Sequence, residues 1–287
     1  MKKLIFSFVA LFMCCMHMSA QGSVVYTRAD SIKIETLLKD ARSIPADIHP
    51  VLYFARKFIG IPYVAHTLET PGKEKLVVNT RQLDCLTLVE TSTALALCHA
   101  AGKTTFADYC NTLRSIRYSG GKIDGYASRI HYFSEWINDN RAMGYVDTVG
   151  YSSVPFTADD VVNVWFMGKY PEKYKKLKGN KRDIALIRSM EKRVSGEHFR
   201  YIPKKDISDD AIMRNTIHDG DILAIVTSHA GLDIAHVGIA VWHNDGLHLL
   251  NASSIHHKVV EEPMTLYQYM QKHPSQKGIR VVRTVLK

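Results

Sequence analysis

Cys85, in the run "RQLDCLTLVETSTALAL", is the residue of this chain best placed to act as a nucleophile. The thiolate is the attacking form of cysteine, and a helix N-terminus favours it because unpaired N–H groups and the helix dipole stabilise negative charge. Asp84 suits an N-cap, which makes Cys85 the first helical residue and puts Leu86, Val89 and Thr93 on one buried face. The competing reading is a core cysteine, since Cys is among the most buried residue types. A base would decide between them. His236, in "DIAHVGIAVW", opens a strand whose Val237, Ile239 and Val241 share one side. Asn251, in "LHLLNASS", follows after a short Asn-Asp-Gly turn, and a hairpin of the two strands sets His236 beside Asn251. A thiol, an imidazole base and an amide that fixes the imidazole tautomer are the parts of a cysteine hydrolase.

Those residues require particular elements. Helical spacing predicts helices over 30–43, with Asp30 as cap, and over 49–59, stopping at Gly60. Residues 61–83, with Pro62 and Pro71, read as a loop. Helices follow over about 85–101 and 105–117. The middle, about 118–215, is aromatic-rich in "SRIHYFSEWIND" and lysine-dense in "GKYPEKYKKLKGNKR", the pattern of an inserted, solvated excursion. From Gly220 the period becomes that of strands: "DILAIV", "HVGIAVW", "LHLLNAS", "KVVEE" and a closing "GIRVVRTV". Helices first and a mostly antiparallel sheet last define an α+β fold.

The first residues have the pattern of an export signal: Lys2 and Lys3, an apolar run from Leu4 to Met16, and a small residue at Ala20. Residues 1–20 are expected to be removed, and the bulky Met13 before Cys14 argues against a lipoprotein. The remainder, 21–287, reads as one catalytic domain, exported to the periplasm or beyond and not inserted in a membrane, with a monomer as the default. The chain has 37 Lys plus Arg against 28 Asp plus Glu, a net charge of +9, which suits acidic cell-wall fragments; nucleic acid is not expected for an exported protein. Beyond the leader remain Cys85, Cys98 and Cys110, an odd number that leaves at least one thiol unpaired within the chain. Cys98 and Cys110 fit core positions, with a disulfide between them left open. The 14 histidines, notably His243, His248, His256 and His257, raise a zinc reading. No H-E-x-x-H occurs, and neither a metal nor any other cofactor is expected for the chemistry.

Four segments in order carry a resemblance. "GIPYV", "LDCLTLVE", "DGDILAI" and "HVGIAVW" resemble the motifs of NlpC-type cell-wall amidases and peptidases, a papain-like superfamily. The resemblance implies a papain-like core, Cys85 as nucleophile, His236 as base, Asn251 as its orienting partner and Tyr63 as an oxyanion donor beside the Cys85 N–H. Leu86-Thr87 stands where the superfamily has Ser-Gly. Ala65-His66-Thr67 replaces two further glycines. "GIPYVAHTLE", "SRIHYFSEW" and "SHAGLDIAHVGIA" resemble more closely an N-acetylmuramoyl-L-alanine amidase-like branch. That branch implies cleavage of the bond between muramic acid and L-alanine in small muropeptides. The alternatives are an acyltransferase, an endopeptidase cutting the stem peptide between D-Glu and the diamino acid, and a non-catalytic wall-binding module.

Other residues complete the expected site. Arg129 is read as a clamp for a stem-peptide carboxylate, and Tyr132 or Trp136 as a stacking surface for a sugar, against the plainer reading of an amphipathic helix with core aromatics. Asp84, Glu69, His131 and His229 are counted among the residues bordering the substrate.

Overall fold

A computed structural model describes residues 24–150 and 154–287. The expected export signal lies outside the described residues. Helices α1 (Arg28–Asp40), α2 (Pro50–Arg56), α3 (Cys85–Ala100) and α4 (Phe106–Arg117) come first. Next are α5 (Phe133–Ala142), β1 (Val146–Val149), β2 (Ala158–Val161), α6 (Phe166–Lys169), α7 (Lys181–Val194), β3 (His198–Pro203) and α8 (Ala211–Thr216). The chain closes with β4 (Ile222–Thr227), β5 (Ile234–His243), β6 (Gly246–Ser253), β7 (Lys258–Glu261), α9 (Leu266–Gln271) and β8 (Gln276–Thr284). The strand order is β2-β3-β8-β4-β5-β6-β7, with β1 also on β8, and each of these pairs is antiparallel. The architecture is therefore α+β with an antiparallel sheet.

The period-2 pattern explains how the sheet is covered. In β4, Ile222 and Ala224 face the core shared with α2, α3 and α4, while Leu223 and Ile225 face a second core with Met213, Leu266 and Met270. In β5, Val237, Ile239 and Val241 face the helical side, and Ala240 the other. Both faces are buried, so these strands read as continuous apolar runs. Gly238 permits the β5–β6 approach, because a Cβ there would lie 2.7 Å from Leu249 Cδ1 and 2.8 Å from the Leu250 carbonyl oxygen.

Two expectations change. The α1 cap is Thr27, and Asp30 is the N3 partner of its capping box. Asp30 is fully buried and also accepts from Thr80 N and Oγ1, each at 2.8 Å. Burial raises its carboxyl, but the bonds from Thr27 and Thr80 outweigh burial and hold it at about 2. Second, the 118–215 region is more than a solvated excursion. Its β1 and β3 join the main sheet through β8, and Tyr126, Val162, Met167, Leu177, Ile187 and Val194 build a separate core. The polar residues of "KRDIALIRSMEKRV" mask α7, whose buried stripe is Ile187, Met190 and Val194. Cys98 and Cys110 are buried as expected, and the disulfide left open between them is not formed: both are free thiols, Cys98 donating to Thr112 Oγ1 at 3.3 Å.

Candidate active site

Helix α3 starts where Asp84 leaves extended backbone. The Asp84 carboxylate accepts from Thr87 N at 2.8 Å, and Thr87 Oγ1 accepts from Asp84 N at 2.8 Å, a reciprocal capping box. Asp84 is thus committed to holding the helix start, and Cys85 is its first helical residue, partly exposed. The apolar face behind it, with Leu88, Val89 and Leu95, is fully buried and fixes the helix against the sheet.

His236 lies on β5 opposite Ile225, beside a register shift between Ile225 and Val226 that re-aims the strand end. Cys85 and His236 line one cleft of about 230 Å³. His236 Nε2 lies 3.0 Å from Asn251 Oδ1, so sequence-distant β5 and β6 bring imidazole and amide together as expected. The amide has one possible orientation. Asn251 Nδ2 donates to Glu262 Oε1 at 3.0 Å and to the Leu249 carbonyl at 3.4 Å. A carboxylate only accepts, so the Asn251 oxygen must face His236, Nε2 must carry the proton, and Nδ1 keeps its lone pair. Glu262 is buried, and its second oxygen meets His256 Nε2 at 3.1 Å.

The electrostatics reverse one expectation. The helix start was expected to depress the thiol pKa. Instead, burial together with the Asp84 charge pushes Cys85 up to about 12, against the backbone N–H groups of Val237, Leu86 and Cys85 itself. Burial also lowers the His236 imidazole, opposed by its bond to Asn251. Both effects disfavour the charged forms of the two groups that share the cleft. Burial is the main cause that raises the Tyr63 hydroxyl above its ordinary range, so it stays protonated; Tyr63 is not among the residues that line the cleft.

The remaining candidates separate into three groups. His131 and Tyr132 line the cleft with Phe133, Met167 and Tyr174, so the inserted region walls the site. His131 Nε2 meets the Tyr126 carbonyl at 3.0 Å, and burial with the Arg129 charge drives its pKa to about 3, which leaves a neutral ring. The Tyr132 hydroxyl donates to Glu191 at 2.7 Å and accepts from Met167 N at 3.0 Å, so its ring, not its hydroxyl, faces the cleft. Arg129 and Glu69 pair with each other. Arg129 also meets Glu74 at 3.6 Å and the Leu68 carbonyl at 3.2 Å, and is only 6% exposed. That network ties the 61–83 loop to the inserted region and borders a separate polar cavity of about 720 Å³ that includes Glu69, Glu74, Tyr126 and Lys176. His229 is exposed in the turn before β5, outside the cleft lining, and Trp136 is a core residue stacked on Phe133.

Sequence reasoning missed Glu262, Val237 N–H, Met167 and Tyr174. Glu262 stood in "KVVEE" as one acid among many, and only the pairing of β6 with β7 brings it under Asn251.

A thiol at a helix start, and an imidazole bonded to an amide in the same cleft, make a candidate hydrolase site, and comparison with known proteins narrows the class. The N-acetylmuramoyl-L-alanine amidase-like family matches residues 53–279, and the chain belongs to that family. A crystal structure of an N-acetylmuramoyl-L-alanine amidase from Bacteroides uniformis is 37% identical, with a TM-score of 0.77, covering 82% of this chain and 97% of that one. A Bacteroides fragilis protein provisionally called a xylanase is 39% identical, with a TM-score of 0.75 and coverages of 81% and 99%. A Legionella pneumophila protein, 22% identical with a TM-score of 0.68 over 90% and 95% of the two chains, shares the fold. No curated protein matches the chain. The family makes the protein an amidase-like hydrolase acting on peptidoglycan-type material. Among the described residues, no helix is long and apolar enough to cross a membrane.

Proposed function

We propose that this protein is an exported cysteine amidase of papain-like type that hydrolyses the N-acetylmuramoyl-L-alanine bond of small peptidoglycan fragments. The observation that carries the reading is the run from His236 through Asn251 to Glu262 in a cleft that Cys85 also lines, which leaves an imidazole nitrogen with its lone pair free to accept the thiol proton. His236 Nδ1 takes the Cys85 proton as sulfur attacks the lactyl carbonyl carbon. The resulting oxyanion is held by the Cys85 N–H and the Tyr63 hydroxyl. Collapse breaks the C–N bond as His236 passes its proton to the departing L-alanine amine. Water, deprotonated by His236, then attacks the thioester; the acid product leaves and the thiol is restored.

A cleft of about 230 Å³, walled by Tyr132, Phe133, Met167 and Tyr174, suits a sugar–peptide junction better than a polymer strand. Glycoside hydrolysis, the chemistry of a xylanase, needs two carboxyl groups flanking the bond. The cleft lining offers Asp233, whose oxygens accept from Ser134 N at 2.6 Å and Ile234 N at 2.9 Å.

The test is a mass-spectrometric digest of defined muropeptides with reducing and anhydro sugar ends, run beside Cys85→Ala. Free sugar and intact stem peptide, absent with the variant, are the expected products. Cleavage inside the peptide would replace the amidase reading with an endopeptidase; tight binding without turnover would leave a wall-binding module.

A further inference from the structure

The turn between β5 and β6, "HNDGLH", gathers His243, Asp245 and His248, with one potential ligand atom of each within 4.8 Å of the others. His248 Nδ1 lies 2.8 Å from the Glu262 carbonyl oxygen, which only accepts, so that nitrogen carries a hydrogen. Nε2 then faces Asp245 Oδ1 at 3.0 Å. Two electron-pair donors at that separation are held together by a shared electrophile, a proton or a metal ion. His243 Nε2 meets the Glu261 carboxylate at 2.9 Å, and Arg56 anchors that carboxylate at 2.7 Å. His243 donating there keeps its lone pair on Nδ1. An imidazole whose far N–H is tied to a carboxylate or carbonyl is the outer-shell arrangement of metal-ligating histidines, and here two neighbouring rings both have it.

We propose that this turn binds a divalent transition-metal ion of the zinc class through His243, Asp245 and His248. Imidazole and carboxylate donors suit such ions, whereas calcium and magnesium prefer all-oxygen sites. The rings lie face to face, centroids 4.3 Å apart, so a shared ion requires them to splay. The His243 side chain, 39% exposed, has room to turn, and the His248 side chain, 3% exposed, is the fixed ligand. The site lies outside the catalytic cleft and supplies no step of the reaction. Its effect is mechanical: it clips together the two strands that carry His236 and Asn251.

The experiment uses the full chain with Cys85→Ser, which removes a thiol that binds zinc itself. After chelator treatment, Zn²⁺ is titrated by calorimetry and Co²⁺ by visible absorption. One ion per chain is expected, with cobalt d–d bands, no thiolate charge-transfer band, and a Tm that rises with Zn²⁺ and falls back with chelator. His243→Gln and Asp245→Asn, both at accessible positions, should each weaken binding by at least the roughly 10–100-fold seen when an outer-shell partner is lost. His257→Gln should leave it unchanged. No binding, or binding that survives both His243→Gln and Asp245→Asn, would overturn the proposal and leave His248 and Asp245 bridged by a proton.

Discussion

At the scale of single residues, the site depends on proton placement more than on charge. The Asn251 amide has one usable orientation because the Glu262 carboxylate can only accept, and that orientation decides which imidazole nitrogen keeps its lone pair. Glu262→Gln supplies a donor where there was an acceptor and allows the amide to reverse. Turnover should fall by up to the roughly 10²–10⁴-fold worth of a positioned acid–base group, with KM nearly unchanged. A loss confined to KM would assign Glu262 to binding. The pH dependence follows from burial. The His236 imidazole is lowered from its ordinary value of 6.5, and it must be neutral to accept the thiol proton. The acid limb of kcat/KM should therefore have its midpoint below 6.5 in a pH–rate profile; a midpoint above that would indicate a resting thiolate–imidazolium pair.

At the scale of elements, α3 presents Cys85 at its first turn, and two features hold the helix. The Asp84–Thr87 box fixes its first turn, so Asp84→Ala should cost about 0.5–2 kcal/mol in denaturant unfolding and displace Cys85 as well. Further along, Glu90 and Arg117 form an ion pair at 2.6 Å that joins α3 to α4 with both side chains almost fully buried, and Arg117 also reaches the Val77 carbonyl at 2.6 Å. The two halves are unequal. Burial raises the Glu90 carboxyl, which can take up a proton and become neutral, whereas a guanidinium cannot lose its charge. Glu90→Leu should therefore reach the upper end of the roughly 3–5 kcal/mol for breaking a buried pair, and Arg117→Leu should cost less. Equal losses in chemical denaturation would refute that asymmetry.

Across the whole molecule, contacts between distant segments make the cleft. Asp30 on α1 pins Thr80, five residues before Cys85, and so ties the start of the described chain to the segment that leads into α3. Its carboxyl is held at about 2 against an ordinary 3.8, a depressed folded-state value. The stabilisation is therefore complete above the unfolded-state pKa and is lost as pH falls through the folded one. The unfolding free energy should decline between about pH 4 and pH 2, and Asp30→Asn should flatten that slope in acid titrations followed by circular dichroism. The inserted region contributes in the same way, through Tyr132, Met167 and Tyr174 in the cleft wall and through Arg129 and Lys176 on the 61–83 loop.

Local chemistry was legible in the chain itself. The Asp84 cap with Cys85 as first helical residue, the α2, α3 and α4 helices, and the β4 to β8 runs all follow from periodicity and turn residues, because those signals act over a few neighbouring positions. His236 and Asn251 could be paired because a short hairpin joins their strands. Three outcomes needed the folded chain. Burial overrode the helix dipole at Cys85, since desolvation depends on what packs over the sulfur rather than on which residue follows it. Arg129 turned to Glu69 and Glu74 because the 61–83 loop folds back on the inserted region. Glu262 came under Asn251 because β7 lies beside β6, a pairing that register decides and composition does not record.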